Sequence, residues 1–126
     1  MITAGIGLRP GTSEADILDC LRQTLTAARL EPKAIHRLAT LASRHDEPGL
    51  AAVALAHDLT LIAIPDEALA GFEAACATRS TRISGLYGVG SVAEAAALAA
   101  AGPGATLIQP RIATARVTCA LARSAA

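Results

Sequence analysis

Apolar and polar positions come in blocks along this chain, and the period within each block indicates what it builds. Residues 2–7 form a short apolar run, and Leu8-Arg9-Pro10-Gly11-Thr12 is a tight loop that enters a helix. Ser13 with Asp16 three residues on is a capping-box-like pair, and Glu14 and Asp16 put carboxylates at the positive end of the helix dipole. Ile17, Leu18, Leu21, Leu25 and Ala28 then recur at helical spacings and give one apolar stripe for a sheet to bury. A strand, a glycine-bearing turn and a capped helix begin a βαβ unit. In open α/β sheets ligands sit outside the carboxyl ends of the strands, so this loop is the first candidate site.

Leu30-Glu31-Pro32-Lys33 breaks the helix. Over residues 34–43, Ile35, Leu38 and Leu41 have helical spacing, whereas the length and the place after a helix suit a strand; pattern alone leaves both open. His45-Asp46-Glu47-Pro48 predicts a helix start, with a capping carboxylate, a second acid in the first turn, and proline where a missing N–H costs nothing. That helix runs to about Asp58, and the nearly continuous apolar run 59–64 predicts a strand covered on both faces. Pro65-Asp66-Glu67 restarts a helix to about Cys76, followed by a polar loop with a short strand around Arg82 and Ile83. Residues 85–90 form a second glycine-rich turn. Ser91-Val92-Ala93-Glu94 then caps an alanine-rich helix that Gly102-Pro103-Gly104 stops. Residues 105–109 predict a strand, 110–115 a loop and 116–122 a last strand; two strands this close must be antiparallel. The sum is an α/β fold, three-layer α/β/α, with a mostly parallel mixed sheet and an antiparallel C-terminal edge hairpin, in one domain over residues 1–126.

Composition narrows the function classes. Of the 126 residues 52% are apolar, yet there is one Phe, one Tyr and no Trp, so the core is built from Ala, Leu, Ile and Val. Net charge is zero and the basic residues are scattered, which argues against a nucleic-acid face. No apolar run approaches the roughly 18–20 residues that span a bilayer, and no signal-like segment leads the chain, so no membrane contact and a cytoplasmic location are expected. Cys20, Cys76 and Cys119 are odd in number and far apart, which speaks for buried free thiols rather than a disulfide framework or zinc knuckle.

Gly5-x-Gly7 begins like a dinucleotide fingerprint, but Pro10 stands at the third glycine position, so no such cofactor is expected. His36, His45 and His57 form no H-x-x-x-H or H-E-x-x-H motif, and no metal site is expected. There is no G-x-S-x-G elbow either. Anion recognition is left: backbone N–H groups at residues 12–16 and 91–94 can hold a carboxylate, although structural capping explains both boxes equally well. Arg9, Arg44, Arg111 and Arg116 each lie in a loop or beside a strand end, where several can converge on a polyanion, although scattered surface arginines are ordinary. Asp46, Glu47 and Glu94 are the acid/base candidates, with helix caps and solvated charge the plainer reading of the first two.

Taken in order, five stretches resemble the CobE / CbiG C-terminal domain family of cobalamin (vitamin B12) biosynthesis. They are Gly5-Ile6-Gly7-Leu8-Arg9-Pro10-Gly11-Thr12-Ser13, Leu38-Ala39-Thr40, Asp46-Glu47-Pro48-Gly49-Leu50, Gly88-Val89-Gly90-Ser91-Val92-Ala93-Glu94-Ala95-Ala96-Ala97-Leu98 and Val117-Thr118-Cys119-Ala120-Leu121-Ala122. The family often has an acid where this chain has Ala42, and lysines where it has Arg44 and Arg111; charge is kept at both arginines. The resemblance implies a tetrapyrrole pathway. Full-length CbiG proteins carry an additional N-terminal region and open a lactone ring on a cobalt-corrinoid intermediate, releasing acetaldehyde. This sequence opens on its first predicted strand and so resembles the stand-alone CobE form of the aerobic route. The expected role is to bind or hand over corrinoid or precorrin intermediates, whose many carboxylates suit arginines and helix N-termini, with contacts at Arg9, Thr12, Ser13, Arg44, Ser91 and Arg111. One alternative is a hydrolase of the same pathway, of the cobalt-precorrin-5A lactone-opening kind, using Asp46, Glu47 or Glu94. Another is a non-catalytic partner domain for other pathway enzymes, which no exposed aromatic patch supports.

Overall fold

The structure is a computed structural model that describes residues 1–68 and 92–125. Strand β1 (Ile2–Leu8) leads into helix α1 (Glu14–Ala27), followed by β2 (Ile35–Leu41), α2 (Pro48–Ala56) and β3 (Thr60–Ile64); α3 (Val92–Ala101), β4 (Thr106–Ala113) and β5 (Val117–Arg123) complete the described elements. The sheet order is β3-β2-β1-β5-β4. β1 pairs in parallel with β2, and β2 with β3, whereas β5 runs antiparallel to both β1 and β4. The α/β class holds, but the described ladders divide evenly rather than being mostly parallel. The C-terminal hairpin docks directly on β1, which adds a second antiparallel ladder to its own.

Helices α1 and α2 cover one face, where Ala4 and Ile6 of β1 pack with Ile17, Leu21, Leu50, Val53, Cys119 and Leu121. Helix α3 covers the other, its Val92, Ala95 and Ala96 lying on Ala39, Leu41 and Ile64. Its approach to β1 is close because Gly5 has no side chain: a Cβ there would run into the Ala93 carbonyl oxygen and stand 2.6 Å from the Ala97 nitrogen. Gly5 and Gly7 therefore belong to the strand. The turn follows them, with Gly11 at φ +78°, a left-handed conformation that glycine adopts without strain.

Several expectations resolve differently. Within residues 34–43, Ile35–Leu41 form the strand β2, flanked by the short 3₁₀ turns Pro32–Ala34 and Ala42–Arg44. Their helix-like spacing arises because both faces are buried and the register shifts opposite Ile2 and Thr3, so Ile35 and Leu38 face α1 while Leu41 faces α3. β3 is covered only in part: it is the outermost described strand next to β2, its Leu61 packs toward α1 and α2 and its Ile62 toward α3, and only Ile64 in it is fully buried. The loop expected at 110–115 is mostly strand, since β4 continues to Ala113 through register shifts around Gln109 that accommodate Pro110. Of the helix expected from Pro65 to Cys76, residues 66–68 form a 3₁₀ turn, and the remainder lies outside the described residues, as do the strand near Arg82, the turn at 85–90 and Ser91. Among the described residues, no helix is long and apolar enough to cross a membrane.

Candidate functional site

At the carboxyl ends of β1 and β2 the chain diverges: α1 and α2 lie on one face, α3 on the other, and β5 takes the place beside β1. Such a switch point leaves a crevice in open α/β sheets. Here it is a cleft of about 580 Å³ whose lining includes Arg9, Arg44, Arg111 and Arg116, together with Thr40, Val92, Thr114 and Thr118. Each arginine is placed by a local break in regular structure. Arg9 is the first residue after β1, Arg44 ends the 3₁₀ turn after β2, Arg111 lies in the irregular part of β4, and Arg116 precedes β5.

Two of the guanidinium groups are held by the end of β1 and the loop after it. Arg44 Nε donates to the Leu8 carbonyl at 3.3 Å and a terminal nitrogen of Arg116 donates to the Pro10 carbonyl at 3.0 Å. Among the described residues, the side chains of Arg9 and Arg111 have no hydrogen-bond or ion-pair partner, and no carboxylate belongs to the cleft lining. The hydroxyls nearby are already spent on backbone: Thr40 donates to Ile6 O at 2.8 Å, Thr114 to Val117 O at 3.3 Å and Thr118 to Gly7 O at 3.4 Å. The cleft thus presents cations, two of them unheld, over a partly apolar floor.

The other sequence candidates are placed elsewhere. Thr12 is buried, donating its hydroxyl to Arg9 O at 2.6 Å, and Ser13 accepts the Asp16 N–H at 3.1 Å as the cap of α1; neither lines the cleft. The end of α1 is occupied instead by α2, where a Cβ on Gly49 would collide with the Thr12 carbonyl. Ser91 lies outside the described residues, although Val92 after it reaches the cleft. Asp46 is fully exposed, 3.6 Å from His45 Nδ1. Glu47 is the N-cap of α2 but makes no side-chain cap, because its Oε1 accepts the Gly11 N–H at 2.7 Å across the neighbouring loop. Glu94 is fully buried in α3, where Oε2 accepts the backbone N–H of Arg111 at 3.0 Å and ties the helix to β4. The threonines of the lining carried no signal in the sequence, since a hydroxyl on a strand reads as ordinary sheet surface.

Cys20 and Cys119 are buried free thiols behind this region, and burial pushes both above the ordinary thiol range. Cys76 lies outside the described residues, as does the rest of its segment. Among the described residues no group of three or more His, Cys, Asp or Glu is placed to hold a metal ion.

Fold and cleft together define an α/β domain with an arginine-lined crevice at the switch point of a mixed sheet. The family described as cobalamin synthesis G C-terminus matches residues 2–122, and the chain belongs to it. It is thus a cobalamin-biosynthesis protein. Among solved structures it is similar to CobE, described as a protein from the cobalamin (vitamin B12) biosynthetic pathway, with a TM-score of 0.90 and 32% identity over 98% of this chain and 89% of that one. It is also similar to cobalamin biosynthesis protein chiG from Agrobacterium tumefaciens, with a TM-score of 0.78 and 32% identity over 100% of both chains. The fold recurs in a putative cobalamin biosynthesis protein G homolog from Sulfolobus solfataricus (TM-score 0.75, 24% identity, 96% of this chain and 36% of that one). No curated protein matches the sequence.

Proposed function

We propose that the cleft binds a carboxylate-rich corrin intermediate of cobalamin biosynthesis and holds it for hand-over, with Arg9, Arg44, Arg111 and Arg116 as its contacts. The observation that carries this reading is four arginines on one cleft with no acid among its described lining. Like charges gathered this way repel one another until an anion arrives, and guanidinium groups suit carboxylates because both are planar and pair through two parallel bonds. The cleft volume of about 580 Å³ falls within the range of about 300–1,000 Å³ common for small-molecule sites. Backbone amides at the start of α1 drop out of the ligand set, because Ser13 and the packing of α2 already occupy that end.

Holding fits the acids better than turnover does. Asp46 is a solvated surface carboxylate, Glu47 is bound to Gly11, and Glu94 is buried against Arg111 N–H. Titration of the purified protein with a hydrogenobyrinic-acid-type corrinoid is expected to shift the ligand's visible absorbance at micromolar concentrations. No shift and no co-purification at those concentrations would remove the proposal. Conversion of a lactone-bearing precorrin, lost in Glu94→Gln, would instead favour the hydrolase.

A further inference from the structure

The loop that carries Arg9 is gripped from both neighbours of β1. From the β5 side, Arg116 donates its side chain to Pro10 O at 3.0 Å and its backbone carbonyl accepts Arg9 N–H at 3.2 Å. From the β2 side, Glu47 Oε1 accepts the Gly11 N–H at 2.7 Å and Arg44 Nε donates to Leu8 O at 3.3 Å. Packing adds little at the tip: Gly11 stands at φ +78°, and a Cβ built on it would meet nothing within 4 Å. Thr12 closes the turn on Arg9 O through its hydroxyl at 2.6 Å and its N–H at 3.3 Å, and the hydrogen bonds from the two neighbours then fix where that turn sits.

We infer that Glu47 is a positioning residue, which with Arg116 opposite sets the loop at residues 8–11 and thereby the place of Arg9 in the cleft. This rests on the cleft being the ligand site. Among the described residues Glu47 is the one carboxylate in the grip, and its position beside a cationic cleft makes the inference separable from two others. If Glu47 acted on the ligand only through its charge, removing that charge would tighten an anion, whatever replaced it. If it were a general acid or base, glutamine would fail as alanine does, since an amide moves no proton. A positioning role needs only an acceptor oxygen, and the glutamine Oε1 supplies one.

The test compares Glu47→Ala with Glu47→Gln in the full chain, on two readouts. In the free protein, hydrogen exchange at the Gly11 amide followed by NMR is expected to accelerate in Glu47→Ala and to stay near the wild-type rate in Glu47→Gln. In corrinoid titrations, Glu47→Ala is expected to bind about tenfold more weakly, the size of one charge-assisted hydrogen bond, while Glu47→Gln recovers most of that loss. Glu47 is a surface residue at a helix start, and unchanged far-ultraviolet circular dichroism checks that both variants fold. Equal Gly11 exchange in the two variants overturns the grip. Equal affinities in the two, whether tighter than wild type or unchanged, overturn its consequence for the site. Absence of corrinoid binding by the wild-type chain would refute the ligand reading and leave the exchange measurement to judge the grip by itself.

Discussion

At Gly5 one absent methyl group decides whether α3 can lie on β1. A Cβ there meets the backbone of Ala93 and Ala97, which cannot move without shifting the whole helix, whereas a Cβ on Gly11 meets open space. Gly5→Ala is therefore expected to cost about 3 kcal/mol or more, and Gly11→Ala about 1 kcal/mol from its left-handed φ alone, as read from urea unfolding midpoints. Cys20 and Cys119 bind their protons more tightly folded than unfolded, because burial disfavours the thiolate. Above the ordinary thiol value of 9.0 the unfolded chain has therefore lost protons that the native one keeps, and stability falls as pH rises past that point. The urea midpoint is expected to drop above about pH 9, less steeply in Cys119→Ala. Iodoacetamide at neutral pH is expected to spare both positions in the native state.

The elements were legible to different degrees. The α1 start could be read from Ser13 and Asp16, and its cap forms at 3.1 Å as the spacing requires. Ser13→Ala is expected to lower stability by about 1 kcal/mol, measured by thermal or urea unfolding. The buried stripe was only half visible, because Cys20 and Thr24 belong to it and a Thr24 hydroxyl bonded to Cys20 O is not a hydrophobic signal. For β2 the sequence offered helix and strand alike, since a register shift on a strand buried on both faces mimics a period near three. For α2 the acids at 46 and 47 looked like caps, and Glu47 turned to another loop instead. A contact between residues 36 positions apart leaves no local trace.

For the whole molecule, sheet order is what brings the arginines together. β5 inserts beside β1, so the hairpin residues Arg111 and Arg116 come to the cleft that Arg9 and Arg44 line from the parallel half. The sequence marked all four as lying in loops or beside strand ends. It did not mark which side of the sheet the hairpin would take, because the alternation in residues 117–121 suits either partner. The same arrangement gives the cleft its charge, and the unheld pair, Arg9 and Arg111, should carry most of the ligand's dependence on salt. The direct test is corrinoid affinity measured from low to high ionic strength for the wild-type chain and for the Arg9→Ala/Arg111→Ala double variant. Ligand contact through this pair predicts that the double variant binds about 100-fold more weakly with a flatter salt dependence, two charge-assisted contacts being lost. Equal affinity and an equal salt slope in the two proteins would contradict it.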